Sequence, residues 1–269
     1  MRRLVPALVA LGLLAVSACG LLYDVDALGN GARADGGSGD AATPPEIEGG
    51  VDASGPCPSL HGSPMVDADG QCIDATEVTV ADYEPFTATA KGALPLPSPC
   101  NWVTTFTPDD FETQKSAPAS PVVNVNYCHA LYYCKWAGKR LCGRIGGGAV
   151  APGDAGADPH TNQWVHACTH DGRQAYSYGA VVAPAVCPNK VGPVKTRGAC
   201  SGPYPGLFDM LGNVGEWIDG CVTDGVTREH DGCIAMGLEQ VRDEASCFDQ
   251  ADLARYAVAP DLGFRCCGP

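Results

Sequence analysis

Cysteine is the residue type in this sequence with the greatest capacity for chemistry. The chain has 15 cysteines among 269 residues, and a thiolate can act as a nucleophile, bind a soft metal or be oxidised to a disulfide. No CxxC pair recurs, and no group of cysteines and histidines has zinc-finger spacing. In an exported chain, this many cysteines indicate a disulfide framework.

Two other groups of side chains could take part in chemistry. His160, His166 and His170 lie close together in a stretch rich in glycine, alanine and aspartate, and we interpret them as surface histidines. We interpret the basic cluster of Lys135, Lys139 and Arg140 as a solvated helix end. A substrate clamp is the alternative. The sequence has no two-histidine, one-carboxylate set at convincing spacing for an iron centre, and no Ser/His/Asp arrangement can be assigned from it.

The first cysteine, Cys19, closes a segment typical of an export signal. Two arginines precede an uninterrupted apolar run from Leu4 to Val16, which is too short to span a bilayer permanently. The sequence Val16-Ser17-Ala18-Cys19 resembles a bacterial lipobox, in which residues 1–18 are removed as a signal peptide and the cysteine carries lipid. We therefore predict a lipoprotein anchored in the bacterial cell envelope, at the outer membrane. An ordinary secretory signal is the alternative.

Residues 19–56 are predicted to form a disordered tether. The segment is rich in glycine, alanine, aspartate and proline, and it has too few large apolar residues to offset its ordering entropy. Its seven carboxylates against Arg33 alone give a net charge of −6. Removal of the signal peptide also removes Arg2 and Arg3, which changes the net charge of the chain from −14 to −16. This charge excludes a nucleic-acid binder, because nothing would neutralise the phosphates. It permits cations and basic partners, although solvation alone accounts for most acidic surfaces.

Residues 57–269 are long enough for one domain with its own hydrophobic core. Glycine and proline interrupt the chain every few residues, so we expect short strands, short helices and cross-linked loops. The clearest helix begins after Asn126, a good N-cap, and ends at Gly138. Its apolar face carries Tyr127, Ala130, Leu131 and Cys134. A second, weaker helix is predicted over residues 161–168.

Several short blocks of this domain carry a resemblance to a known family. In chain order they are Met65-Val66, 72–79, 121–125, 132–141, 176–179, 209–217 and 262–266. Together they resemble the formylglycine-generating enzyme family, also called sulfatase-modifying factors, over about residues 60–267. The resemblance implies an α+β fold of C-type-lectin-like topology, with little regular secondary structure and many disulfides.

Calcium is the structural ion that this resemblance implies. The family's site would use the carboxylates of Asp209 and Glu216 and the carbonyls of Gly212 and Val214. Carboxylate and carbonyl oxygens are the ligands that calcium prefers. Gly215 stands where the family commonly has a large residue, a change that loosens local packing without removing a ligand. The alternative is a capped turn with solvent-facing acids.

The resemblance also implies where a reaction would take place. The family oxidises a cysteine of a substrate sulfatase to formylglycine, using oxygen and copper held by two thiols. Those thiols lie ten and five positions before the residue that is Cys247 here, at Gly237 and Arg242. Neither residue can bind copper(I), which prefers soft sulfur ligands, and Cys233 is four positions too early. We expect no copper and no catalytic thiol.

The disulfide pairing follows partly from the resemblance. If Cys19 carries lipid, an even number of cysteines remains. The family pattern pairs Cys134 with Cys266 and Cys168 with Cys247. Proximity in the sequence adds three pairs: Cys57–Cys72, Cys187–Cys200 and Cys221–Cys233. Cys100–Cys128 and Cys142–Cys267 would complete the set, and the pairing of these last four stays open.

Three functions stay open from the sequence. The first is a non-catalytic binding domain for a protein or glycan of the envelope. Tyr178, Tyr204, Phe208 and Trp217 could line its cleft or pack in the core. The second is an active sulfatase-modifying-type or related metal-dependent oxidase that uses residues other than cysteine, as iron-dependent relatives in the superfamily imply. The third is a purely structural envelope protein. The fold alone does not choose among them.

Overall fold

The computed structural model describes residues 57–151, 158–183, 185–222, 231–238 and 245–268. The predicted signal peptide, Cys19, the predicted tether and Arg242 lie outside these ranges. Within them, two four-stranded sheets and a few short helices are joined by long irregular connections. This is the α+β architecture with little regular structure that the sequence predicts.

The first sheet is antiparallel, with the strand order β1-β2-β8-β3. A two-residue turn, Asp69-Gly70, joins β1 to β2. Both turn residues have positive φ, 53° and 86°, which is the type I′ geometry that matches the twist of a hairpin. The strands are β1 (Met65–Ala68), β2 (Gln71–Asp74), β3 (Arg140–Leu141) and β8 (Cys266–Cys267).

The second sheet has the strand order β6-β5-β4-β7. Its strands are β4 (Gly215–Val222), β5 (Gly232–Met236), β6 (Gln250–Ala254) and β7 (Leu262–Phe264). β7 runs parallel to β4, and the other pairs are antiparallel. Only Arg265 separates β7 from β8, so the chain passes from the second sheet to the first at this one residue.

Helix α3 (Tyr127–Trp136) is the helix that the sequence predicts most clearly, and its boundaries are confirmed. The Asn126 side chain accepts a hydrogen bond from the His129 backbone N–H at 3.0 Å, which caps the first turn. Gly138 has a φ of +76° and follows the C-cap Ala137. A positive φ suits glycine and reverses the chain toward β3.

The other helices are also defined by their caps. Asn162 accepts from the backbone N–H groups of Trp164 and Val165 and begins α4 (Gln163–Thr169), the second predicted helix. A capping box of Thr79 and Asp82 begins α1 (Val80–Thr89). The sequence analysis did not assign α1, although the Thr-x-x-Asp pattern signals it. A 3₁₀ turn (Ala90–Ala93) and α2 (Phe111–Gln114) complete the set.

The hydrophobic core has two parts. One lies around α1 and α3, where the rings of Tyr83, Phe86, Tyr133 and Phe264 contact one another at centroid distances of 5.2–6.3 Å. The other lies around α4 and is centred on Trp164. Large aromatic side chains bury much apolar surface each, which compensates for the short elements.

Seven disulfides cross-link these elements, and they join the same pairs that the sequence analysis names. The two longest loops are closed by adjacent residues of β8. The bridges are Cys57–Cys72, Cys100–Cys128, Cys134–Cys266, Cys142–Cys267, Cys168–Cys247, Cys187–Cys200 and Cys221–Cys233. This density is typical of proteins that fold outside the reducing cytoplasm, so the domain is extracytoplasmic. No helix in the described ranges is long and apolar enough to cross a bilayer.

The disulfides should differ in what they contribute to stability. The Cys134–Cys266 bridge spans 132 residues and Cys57–Cys72 spans 15. Because a longer closed loop removes more entropy from the unfolded chain, we expect the double variant Cys134→Ala/Cys266→Ala to lose about 5 kcal/mol of unfolding free energy, against about 3 kcal/mol for Cys57→Ala/Cys72→Ala. Chemical denaturation measures both values.

A thiol titration of the denatured, unreduced domain (residues 57–269, without Cys19) provides the control. Wild type and both double variants should have no reactive thiol, since each variant removes a whole bridge. Reactive thiols in the wild type would contradict the pairing. An equal loss of stability in the two variants would contradict the dependence on loop length.

Candidate functional site

Arg265 is the centre of a buried polar network between the two sheets. Its side chain is fully buried, and Nε donates to both carboxylate oxygens of Glu216 at 2.9 and 2.7 Å. Nη2 donates to Glu216 Oε1 at 2.7 Å. Nη1 and Nη2 also donate to the backbone carbonyls of Asp74, Phe208 and Asp209 at 2.9–3.1 Å. A buried charge is tolerated only when it is paired and hydrogen-bonded, and this guanidinium is both.

Glu216, the second residue of β4, is saturated with hydrogen-bond donors. Besides the Arg265 contacts, the indole Nε1 of Trp164 donates to Glu216 Oε2 at 2.7 Å. Each carboxylate oxygen therefore accepts two hydrogen bonds, one for each of its lone pairs. The side chain is buried, and all its acceptor capacity is used inside the protein.

The loop from Asp209 to Glu216 is held in place by protein groups. Asp209 Oδ2 accepts a hydrogen bond from the Lys195 backbone N–H at 2.8 Å, and burial raises the pKa of the Asp209 carboxyl. Gly212 has a φ of +73°, and a Cβ there would lie 2.3 Å from the Cys187 carbonyl oxygen. The loop thus requires glycine at this position, since a side chain would collide with backbone.

The four predicted calcium ligands, Asp209, Gly212, Val214 and Glu216, lie on this loop, but the set does not fit the ion. Calcium takes six to eight oxygen ligands, whereas the lone pairs of Glu216 are already used by N–H donors. Across the described ranges, no group of three or more His, Cys, Asp or Glu side chains is placed to hold a metal. Calcium binding by this loop therefore stays a prediction from the family resemblance, one that the hydrogen bonds of Glu216 do not favour.

Glu77 is a second buried carboxyl beside the same guanidinium. Its Oε1 accepts from Asn213 Nδ2 at 3.0 Å, while Oε2 has no hydrogen bond and lies 4.0 Å from Arg265 Nη2. Burial raises the pKa of Glu77 well above its usual range, and the nearby carboxylates of Asp209 and Glu216 also raise it. The Arg265 guanidinium opposes this shift in pKa, and burial outweighs it.

This network was not predicted from the sequence, although Glu77 and Arg265 both lie in the blocks that carry the family resemblance. The two residues stand 188 positions apart, so no local spacing joins them. The signal available was an acidic and a basic residue, each set among apolar residues. Only the fold brings them together.

Gly237 occupies the position that the resemblance assigns to the first copper-binding thiol. It follows β5, has a φ of +69° and lines a cavity of about 210 Å³. A Cβ at this position would lie 3.4 Å from the Met210 carbonyl oxygen and 3.5 Å from the Trp164 ring. Cys247 and Cys233 are both in disulfides, so neither offers a thiol here.

Leu238 explains why glycine is tolerated at residue 215. A Cβ on Gly215 would lie 2.3 Å from the Leu238 side chain. The leucine therefore occupies the space beside β4 that a large residue at 215 would need. The structure thus corrects the expectation that Gly215 loosens local packing.

The expectation that Lys135, Lys139 and Arg140 form a solvated helix end is wrong for Lys139. The turn after α3 buries the Lys139 side chain, whose Nζ contacts Asp74 Oδ1 at 2.6 Å and donates to the Ser63 carbonyl at 2.7 Å. Arg140 is half-buried and donates to the Gln163 side chain. Lys135 alone is exposed.

The three histidines differ in burial, so the prediction of surface residues is wrong for one of them. His166 is buried in α4, and its ring stacks on Tyr204 at a centroid distance of 6.5 Å. His160 is exposed, and its Nδ1 lies 3.1 Å from Asp171 Oδ1. His170 is half-buried. A helix with a buried face on every side leaves no solvent-facing position for His166.

The four aromatic residues that could line a cleft are divided between the core and the surface. Trp217 is fully buried, and its Nε1 donates to the Val125 carbonyl at 2.9 Å. Tyr204 is buried as well, whereas Tyr178 and Phe208 are half-buried. Core packing therefore accounts for Trp217 and Tyr204.

Substitution of the two buried glutamates should separate their roles. Glu216→Gln leaves the buried Arg265 without its counter-charge, so we expect a loss of about 3–5 kcal/mol of unfolding free energy. Glu77→Gln removes a carboxyl whose raised pKa favours its neutral form and which is not hydrogen-bonded to Arg265, so we expect a loss of about 1 kcal/mol or less. Guanidinium denaturation at neutral pH measures both, and equal losses would contradict the assignment of charge.

Comparisons with known proteins agree with this architecture. The sulfatase-modifying factor enzyme 1-like domain family matches residues 61–268. No curated protein matches the chain.

Among solved structures, CarF is similar with a TM-score of 0.47 and 17% identity, over 80% of this chain and 96% of that chain. PvdO from Pseudomonas aeruginosa is similar with a TM-score of 0.45 and 16% identity, over 79% and 91%. Treponema denticola variable protein 1 has a TM-score of 0.45 and 14% identity, over 78% and 92%. On the family match, the chain belongs to the sulfatase-modifying factor enzyme 1-like domain family.

Proposed function

We propose that this chain is a lipid-anchored, extracytoplasmic member of its family that binds a ligand in the cell envelope and does not oxidise cysteine. The observation that carries the proposal is Gly237, which stands where the family resemblance requires a thiol. Copper(I) needs soft sulfur ligands, and glycine offers none. The left-handed φ of +69° at this position also favours glycine over cysteine.

The disulfides support the same proposal. All fourteen cysteines from Cys57 to Cys267 are in disulfides. The fifteenth is Cys19, the predicted lipid attachment. A copper site would therefore require the opening of a structural bridge. The second position for a thiol ligand carries Arg242, a permanent cation that repels copper.

Binding is the use that this scaffold supports best. Loops positioned by a rigid framework commonly carry recognition, and here seven bridges hold long irregular connections around two small sheets. The buried network around Arg265 uses its polar groups internally, so it supplies stability to the scaffold. The ligand would be a protein or a glycan of the envelope.

The absence of thiol chemistry can be tested directly. The full-length chain is incubated with copper(I), oxygen and a peptide that carries the target cysteine of a sulfatase, and the peptide is analysed by mass spectrometry. We expect no formylglycine above a reaction without protein, because no thiol pair is available for copper. An active member of the family serves as the positive control. Formylglycine at the target cysteine would overturn the proposal and favour an oxidase that uses other residues.

The lipid anchor has its own test. Expression in a bacterium with labelled palmitate should label the wild-type chain, and Cys19→Ala should abolish the label because the acceptor thiol is lost. Ser17→Ala is the matched control, since it keeps a small residue before the cysteine. Label that persists in Cys19→Ala, or its absence from wild type, would contradict the anchor.

A further inference from the structure

A polar cavity lies at the N-terminal end of α3, away from the position of the missing thiols. Its volume is about 390 Å³, within the range typical of small-molecule sites. The residues that line it include Trp102, Thr105, Asp109, Asp110, Asn124 and His129. This region was not singled out from the sequence, because its residues share no regular spacing and only Asn124 lies in a block that carries the family resemblance.

The walls of this cavity are fixed in position. The Cys100–Cys128 disulfide connects the segment that carries Trp102 to the helix that carries His129. On another side, the Asn124 backbone N–H donates to the Ala259 carbonyl at 3.0 Å, which holds the wall that includes Val258. Preorganised walls lower the entropy cost of binding a ligand.

The acceptors in the cavity are oriented by neighbouring amides. Asp110 Oδ1 accepts from Gln114 Nε2 at 2.8 Å, and Oδ2 accepts from Asn124 Nδ2 at 2.9 Å. Asp109 is exposed at the cavity wall. No lysine or arginine is among the lining residues that the structure describes. A site with two carboxylates and no cation disfavours phosphates, uronic acids and other anions.

His129 supplies a buried ring to the cavity wall. The side chain is more than nine-tenths buried at the cavity wall, and its Nε2 lies 2.9 Å from the Thr105 carbonyl oxygen. A carbonyl oxygen can only accept a hydrogen bond, so Nε2 must carry the donated hydrogen and Nδ1 is left as an acceptor. Nδ1 is buried and has no hydrogen-bond partner among the described residues. Burial lowers the pKa of His129 to about 4, so the ring is neutral.

Trp102 contributes an apolar surface. Its one donor, Nε1, is used by the Pro99 carbonyl at 3.0 Å, which leaves the ring itself as the contact surface. The side chain is half-buried and faces a wall of threonine, asparagine and aspartate residues. An aromatic ring beside groups that both donate and accept suits a ligand with one apolar face and several hydroxyls.

We propose that this cavity binds a neutral saccharide. Each sugar hydroxyl both donates and accepts, and the threonine hydroxyls and asparagine amides of the lining can do the same. A simple ammonium ligand would use only the acceptors, and an anion would be repelled. The proposal rests on the proposed binding function and names the class of ligand for it.

Titration calorimetry with the full-length chain tests the proposal, in a detergent without a sugar headgroup. The neutral probes are cellobiose, lactose, mannobiose and N,N′-diacetylchitobiose. Digalacturonic acid is the anionic counterpart, and deacetylated chitobiose is the cationic one. We expect at least one neutral disaccharide to bind with a Kd of about 1 mM or tighter. The two charged probes should bind at least about tenfold more weakly.

Two variants locate the binding. Trp102→Ala and Asp109→Asn should each raise the Kd of the tightest-binding neutral probe by about tenfold or more. The first variant loses a ring contact and the second loses a hydrogen bond. Asp252→Asn is the matched control, because Asp252 is an exposed carboxylate on β6 outside the lining. This variant should leave the Kd of the probe unchanged. Asp109 is exposed, so its variant is expected to fold. A thiol titration of each variant checks that its disulfides have formed.

Three results would overturn the saccharide site. They are no binding of any neutral probe to folded protein, binding of the cationic probe alone, and binding that neither variant weakens. The formylglycine assay is independent of these measurements. If no saccharide binds and no formylglycine forms, only the proposed class of ligand is wrong. If formylglycine forms, the proposed function itself is wrong.

Discussion

A buried guanidinium between two sheets is the constraint on which this structure depends. Arg265 is the single residue between β7 and β8, so its side chain starts from the point where the chain passes from one sheet to the other. Glu216 on β4 neutralises it, and the Asp74 carbonyl at the end of β2 accepts from it. Asp74 in turn accepts from the Cys266 backbone N–H at 2.9 Å and pairs with Lys139. Because an unpaired buried ion costs several kcal/mol, displacing one sheet from the other would be opposed by the loss of these ion pairs.

Two kinds of feature of this fold can be predicted from the sequence. They are the helix ends, which depend on neighbouring residues, and the disulfide pairs. Asn126 and Gly138 mark the ends of α3 through their caps, and the expected bridges are those that the structure contains. The burial of Lys139 could not be predicted, because its partner Asp74 comes from a strand 65 positions earlier. His166 was interpreted from its glycine-rich surroundings, yet a seven-residue helix with every side covered leaves it no access to solvent. Pairings between distant segments are decided by the assembled core.

The family's scaffold and its reaction depend on different residues in this chain. The scaffold rests on buried ion pairs, helix caps and disulfides. The reaction would rest on two thiols at positions that here carry Gly237 and Arg242. A fold supports many functions because sites can change without disturbing the packing beneath them. The polar cavity beside α3 is lined mostly by residues outside the blocks that carry the family resemblance, with Asn124 as an exception.

The adjacent cysteines of β8 have a consequence for how the chain matures. A protein that crosses a membrane N-terminus first exposes Cys134 and Cys142 long before Cys266 and Cys267, their partners 132 and 125 residues later. An oxidant that joined cysteines in their order of arrival would link Cys134 to Cys142 and leave the last two without partners. The native bonds then require thiol–disulfide exchange, in which a wrong bridge is attacked and replaced. Maturation of this domain therefore depends on the timing of oxidation relative to translocation, and on a disulfide isomerase wherever oxidation comes first.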